Sequence, residues 1–285
     1  MKPFRLVVGV LAAVFLARQA AVAAPIEAYG GLPSIESVEI SPDGSKLAVA
    51  MSTGEQRMLG IKTLPDGVMK TFALGSAKVR RLDWVGPERL IITTSQTNSI
   101  MYVTGPRREY LMGFDLNVAT SRIQPLLKRS LGGSGTGSHI HDPDADKVSA
   151  SLNVLAGPPE VHVIDGTPTL FLRGITFPDQ WGVLTILKVN MRTGETDIVA
   201  LGDKRTDEIV LDQDGLPLAR ADYDDDTGQW SLKLRQGPGW KLNRTLEAKT
   251  GRPVLAGLGR DGYSVVVAET GESGVQMREV TPDGV

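Results

Sequence analysis

Glu208-Ile209-Val210-Leu211-Asp212-Gln213-Asp214-Gly215, followed by Pro217-Leu218-Ala219-Arg220-Ala221, Asp225-Asp226-Thr227-Gly228 and Trp230-Ser231-Leu232-Lys233-Leu234, decides the fold class. Apolar and polar residues recur here at spacing two, the period of a strand. The Asp-Gly and Thr-Gly pairs supply the positive-φ positions that tight reversals need, and Asp can hydrogen-bond the turning backbone. With Trp240-Lys241-Leu242 as outer strand, the stretch predicts a four-stranded meander.

The same phrase recurs on both sides. Upstream, Ser37-Val38-Glu39-Ile40 runs through Ser41-Pro42-Asp43-Gly44 into Lys46-Leu47-Ala48-Val49-Ala50, Arg57-Met58-Leu59-Gly60-Ile61 and Val68-Met69-Lys70-Thr71-Phe72. A second copy has strands at Val79–Trp84, Leu90–Thr94, Tyr110–Phe114 and Ser121–Leu126. A third turns at Asp142-Pro143-Asp144-Ala145-Asp146 before a strand at Val148–Leu152, then carries an expected insertion from about Leu155 to Gly182, and resumes at Leu184–Val189. The fifth copy has strands at Val254–Leu258, Ser264–Ala268 and Val275–Val280, with turns at Asp261-Gly262 and Thr270-Gly271, and breaks off at Thr281-Pro282-Asp283-Gly284-Val285 before an outer strand. A repeated four-strand unit predicts a β-propeller, one blade per unit. The expectation is therefore an all-β, partial β-propeller of about five four-stranded blades.

Lys2 and Arg5 precede an apolar run from Leu6 to Ala17 that leads into Ala21-Val22-Ala23, the pattern of a secretory signal peptide. The run is short of the roughly 20 residues a spanning helix needs, so cleavage after Ala23 is expected rather than an uncleaved anchor. Residues 1–23 then form the signal peptide and 24–285 the propeller domain, periplasmic or secreted and with no membrane contact once cleaved. Lysine plus arginine number 31 against 33 acidic residues, a balance that gives no reason to invoke a nucleic-acid partner. Cysteine is absent, which excludes disulfide staples, a cysteine nucleophile and thiolate metal sites.

Four features invite a chemical reading, and each has a plainer one. Gly132-Gly133-Ser134-Gly135-Thr136-Gly137 lacks the Lys-Ser/Thr ending of a phosphate loop, and Thr136 stands where the Gly-x-Ser-x-Gly of a nucleophile elbow needs Gly, so it reads as a connection between blades. His139 and His141 share a strand face, but the remaining histidine, His162, has no spacing that forces it near them. The acidic runs Asp142–Asp146 and Asp222–Asp226 lack the Gly and Glu of a calcium loop and read as solvated hairpin turns. Trp84, Trp230 and Trp240 fall at strand positions, where aromatic packing is commoner, whereas Trp181 in the expected insertion is a candidate surface contact. No cofactor, no metal and no catalytic residue are expected.

Taken in order, Ile40–Ala48, Leu82–Leu90, Asp142–Val148 and Asp212 through Trp240 resemble the N-terminal propeller of bacterial prolyl oligopeptidase-family (S9) serine peptidases. That resemblance covers nearly the whole mature chain, and the order of the stretches matters more than any one motif. It implies a propeller that gates access of short peptides to a C-terminal α/β-hydrolase domain carrying Ser, Asp and His. This chain has no Gly-x-Ser-x-Gly and no βα-alternating segment, so no catalytic residue carries over and whether it is itself an enzyme stays open. Its peptide partner would be met through a hydrolase domain absent from this sequence. The alternative is a free-standing periplasmic propeller that binds a peptide, protein or glycan.

Overall fold

The structure is a computed structural model that describes residues 33–98, 108–127, 153–176, 178, 181–271 and 273–283. Every regular element among them is a β-strand. Sheet 1 is an antiparallel meander of β1 (Ile35–Ile40), β2 (Lys46–Thr53), β3 (Gln56–Thr63) and β4 (Met69–Gly75). Sheet 2 follows with β5 (Lys78–Trp84), β6 (Arg89–Asn98), β7 (Arg108–Asn117) and β8 (Arg122–Pro125), and the two-residue β9 (Val154–Leu155) pairs with β7 beyond the end of β8. Sheet 3 comprises β10 (Glu160–Ile164), β11 (Thr167–Thr176), β12 (Val183–Val189) and β13 (Thr196–Leu201). Sheet 4 comprises β14 (Thr206–Leu211), β15 (Pro217–Asp224), β16 (Gln229–Gln236) and β17 (Gly239–Glu247), and sheet 5 β18 (Val254–Leu258), β19 (Val265–Gly271) and β20 (Gly274–Val280).

Five consecutive antiparallel meanders are the architecture of a partial β-propeller, and alternation explains how they stack. Ala48, Ala50, Leu59 and Ile61 of sheet 1 share a core with Leu82, Trp84, Leu90, Ile92 and Leu116 of sheet 2. Ile91, one residue from both Leu90 and Ile92, points the other way and packs with Leu170, Leu172 and Leu187 of sheet 3. Phe171 and Ile186 of sheet 3 then meet Ile209 and Leu211 of sheet 4, while Val210 joins Trp230, Leu232, Val265, Val267 and Val280 between sheets 4 and 5. Neighbouring residues of one strand thus serve two different cores, as strand periodicity allows. Each fully buried aliphatic side chain contributes about 1.5–3 kcal/mol relative to exposure.

First strands lie side by side, β1 against β5 and β14 against β18, which makes them the inner strands of the stack. Inner hairpins turn where the sequence predicts. Gly44, Gly215 and Gly262 all have positive φ. At the first of these turns the Asp43 carboxylate accepts hydrogen bonds from Ser41 Oγ (2.6 Å) and Ser45 N (3.1 Å), and the Ser41 bond above all lowers its pKa to about 2.

Two expectations are corrected, and a third falls outside the described residues. The stretch from Leu155 to Gly182 is not an insertion: it supplies the two inner strands of sheet 3, β10 and β11, reversed at Asp165-Gly166, where φ is 49° and 73°. Both residues take the left-handed conformation of a two-residue hairpin, the same Asp-Gly chemistry as in the other units. The turn at Asp142–Asp146 and the strand at Val148–Leu152, expected to open this unit, lie outside the described residues. The last hairpin reverses between Gly271 and Gly274, which face each other across it, and the positive φ belongs to Gly274 (108°) rather than to Gly271.

Asn153 closes sheet 2 at its outer edge. Buried, and at a φ of 38°, it accepts a hydrogen bond from Leu127 N (3.1 Å) through Oδ1 and donates through Nδ2 to Gly113 O (2.7 Å). Leu127 and Asn153, 26 residues apart in sequence, are therefore held together on β7.

Candidate functional site

Charged side chains gather at two places on the inner and middle strands of sheets 3 and 4. The first is the seam between the β10–β11 hairpin and the β14–β15 turn. Glu160 and His162 alternate with Val161 on β10, so both face the same way, toward sheet 4, beside Phe171, which is paired with Glu160 across the ladder. His162 stands edge-on to the Phe171 ring, with centroids 5.1 Å apart and planes at 75°. Its Nδ1 is 3.4 Å from Gln213 O and its Nε2 3.5 Å from the Glu160 carboxylate.

Both ring nitrogens of His162 therefore face acceptors. A neutral imidazole carries one N–H and can satisfy one of them, whereas the imidazolium donates to both. The Glu160 hydrogen bond is the main cause raising the His162 pKa, partial burial works against it, and Gln213 O and the charges of Glu160 and Asp212 add to it. Burial works to raise Glu160, but the His162 bond and the Arg173 charge overcome it and hold its carboxyl below the ordinary value. Arg173 of β11 donates through Nη2 to Glu160. Glu208, at the start of β14, is pushed up by burial and accepts from Leu255 N (2.8 Å) on β18.

Close approach at this seam is permitted by Gly215. A Cβ there would lie 2.5 Å from Phe171 Cζ, and the φ of 76° is already one that side chains disfavour. The same turn reaches forward to sheet 5. Gln213 N donates to Gly262 O (3.0 Å), its Nε2 donates to Tyr263 Oη (2.5 Å), and Tyr263 Oη donates to Asp214 (2.8 Å).

The second gathering centres on the buried Arg220 and Asp222 of sheet 4. Arg220, its side chain 8% exposed, donates through Nη2 to Asp203 (2.7 Å) and Asp222 (2.9 Å), and Lys233 Nζ lies 2.6 Å from Asp222. Thr206 Oγ1 donates to the other Asp222 oxygen (3.0 Å). Two guanidinium groups lie near the Trp240 ring, Arg220 at 5.5 Å and Arg235 at 5.3 Å from its centroid. Two cations against two carboxylates make this a neutral network, suited to holding β15 in register rather than to attracting a charged ligand.

The acidic run Asp222–Asp226 is consequently not one solvated turn. Asp222 is 5% exposed within β15, and only Asp225 and Asp226 stand in the exposed turn. Trp84 ends β5 and donates through Nε1 to Glu39 O (3.3 Å) of sheet 1, and Trp230 is fully buried between sheets 4 and 5. Trp181 precedes β12 in the β11–β12 connection, 57% exposed, with Lys204 Nζ 4.4 Å from its ring centroid. Gly132–Gly137, His139 and His141 lie outside the described residues.

Sequence reasoning passed over Glu160, Arg173, Glu208 and Arg220. Two signals were available: Glu160-x-His162 is the same one-face alternation that draws notice to His139 and His141, and Arg220 with Asp222 interrupts an otherwise apolar strand at spacing two. Chemically, His162 is the single histidine among the described residues, and its nitrogens face a carboxylate and a carbonyl rather than a hydroxyl. That is not a nucleophile–base arrangement. Among the described residues no three His, Asp or Glu side chains come together as a metal would require.

No protein-family model matches the chain, and no curated protein matches it. Among solved structures it is similar to TolB from Acinetobacter baumannii, at 12% identity and a TM-score of 0.37, over 88% of this chain and 52% of that one. It is similar also to the acylaminoacyl peptidase of Pyrococcus horikoshii, at 10% identity and a TM-score of 0.46, over 87% and 37%. The tricorn protease is a third, at 12% identity and a TM-score of 0.39, over 87% and 26%. The chain spans about half or less of the length of these three structures. The partial propeller is established by the chain's own five sheets.

Proposed function

We propose that this chain is the substrate-gating propeller portion of an exported S9-type serine peptidase that hydrolyses short peptides, without catalytic groups of its own. One observation carries the reading. Ile40–Ala48 and Leu82–Leu90, which resemble that family in order, both span the turn between first and second strands of a sheet, and Asp212 through Trp240 runs from the same turn in sheet 4 into its outer strand. The signal-like N-terminus supports export to the periplasm. Cleavage in the parent enzyme would proceed through an acyl-enzyme on its hydrolase domain. The gating role asks of this chain only rigid stacked sheets and an inner rim.

The test is labelling of the 285-residue polypeptide with a fluorophosphonate serine-hydrolase probe, together with sequencing of the gene beyond the codon for Val285. The expected results are no labelled serine and a frame that continues into a Gly-x-Ser-x-Gly segment. Specific labelling of a serine here, or a stop codon directly after Val285, overturns the reading. The exposed Trp181 favours a second one, a free-standing propeller that binds a peptide, protein or glycan through that indole. Binding on peptide and glycan arrays that disappears with Trp181→Ala would support it.

A further inference from the structure

We propose that His162 is a proton-operated clasp that fastens sheet 3 to the inner turns of sheets 4 and 5. The geometry is a relay of turns. His162 on β10 meets the carbonyl of Gln213 in the β14–β15 turn, the amide of the same Gln213 donates to Gly262 O in the β18–β19 turn, and the Gln213 side chain bonds Tyr263 there. One residue, Gln213, thus joins three sheets through its N–H, its carbonyl and its side chain. Because Glu160 takes the opposite ring nitrogen, only the doubly protonated ring serves both contacts.

The charged groups around the ring reinforce the protonated state. Glu160 shares its strand, Arg173 of β11 holds Glu160 in place through Nη2, and Asp212 adds a negative charge from the facing turn. Loss of the proton leaves a neutral ring that keeps one donor. The Gln213 contact or the Glu160 contact is then given up, and the seam between sheets 3 and 4 rests on Phe171, Ile164 and the close approach at Gly215.

The sign follows from linkage. A histidine whose pKa is raised in the folded state contributes stability that is fully present below its unfolded value of about 6.5 and is lost as pH rises through the folded value. Glu160, held below its ordinary value, contributes stability present above about 4.3 and lost as pH falls through its folded value. The clasp is therefore strongest in mildly acidic solution, between the two. Glu208, raised by burial, disfavours the folded state once ionised, and it is read apart from His162 because the ring resonances report the imidazole alone.

The test uses the full chain with isotope-labelled histidine, following ring resonances by NMR between pH 5 and 9. One of the three histidines should titrate above the ordinary value, disappear from the spectrum in His162→Gln, and fall toward about 6.5 in Glu160→Gln. In parallel, the Gln213 amide, corrected for intrinsic rates, should exchange more slowly at pH 6 than at pH 8, and His162→Gln should abolish that difference. An unshifted His162, a midpoint indifferent to Glu160→Gln, or a Gln213 amide whose pH response survives His162→Gln overturns the proposal. The wild-type titration keeps the test decisive even where a variant folds poorly.

Discussion

The three middle sheets and the two outer ones differ in what their strands must satisfy. Sheets 2, 3 and 4 are covered on both faces, so runs such as Leu170-Phe171-Leu172 bury every side chain, alternating between two cores. Sheets 1 and 5 have a neighbour among the described residues on one face only, and their other face still carries apolar side chains. On sheet 1 these include Ile35 and Ile40, each 55% exposed, and Met69; on sheet 5, Val275 (64%) and Met277 (66%). Met51 and Met69 close over Gly60 on that face of sheet 1, where long thioethers fill the space that a facing sheet fills elsewhere. Apolar residues on both faces are the composition of a middle strand, carried here by strands that face a second sheet nowhere among the described residues.

The contrast can be broken from its strong side. Trp230→Ala, in the core between sheets 4 and 5, is expected to cost about 3–5 kcal/mol, read from chemical denaturation. A cost near zero would mean that sheet 5 is not packed on sheet 4 in solution. Next comes Arg220→Ala, which leaves the buried Asp222 with Lys233 as its one remaining cation beside the Thr206 hydroxyl and is expected to cost about 3 kcal/mol or somewhat more. A change under about 0.5 kcal/mol, the ordinary surface response, would show the network to be solvated. At the weak end, Val275→Ser or Met277→Ser on the free face of sheet 5 should leave stability within about 0.5 kcal/mol. Destabilisation like that of Trp230→Ala would reveal that something covers this face.

The same contrast explains what was legible beforehand. Sheet 4 was readable because Asp212–Gly215 and Asp225–Gly228 flank short alternating strands at regular spacing. Sheet 3 was not, although its inner hairpin carries Asp165-Gly166. Pro158-Pro159 before β10, Pro168 inside β11 and Pro178 after it resemble loop composition. Pro168 is tolerated because it sits at the second residue of β11, beside the turn. The charged seam was harder still. Local pattern places Glu160 and His162 on one face, but nothing local says that Gln213, 51 residues away, arrives opposite them. The buried side of Asp222 was hidden by its neighbours, since the four residues after it include three more acidic ones that do reach solvent or its margin.

Asn153 has a consequence for the order of folding. Its side chain bonds Leu127 N and Gly113 O, the second 40 positions earlier in the chain, so this edge of sheet 2 is finished only when Asn153 arrives. Closure entropy rises with separation, by about 0.6 kcal/mol per doubling, and contacts this distant form after the local pairing of β7 with β8.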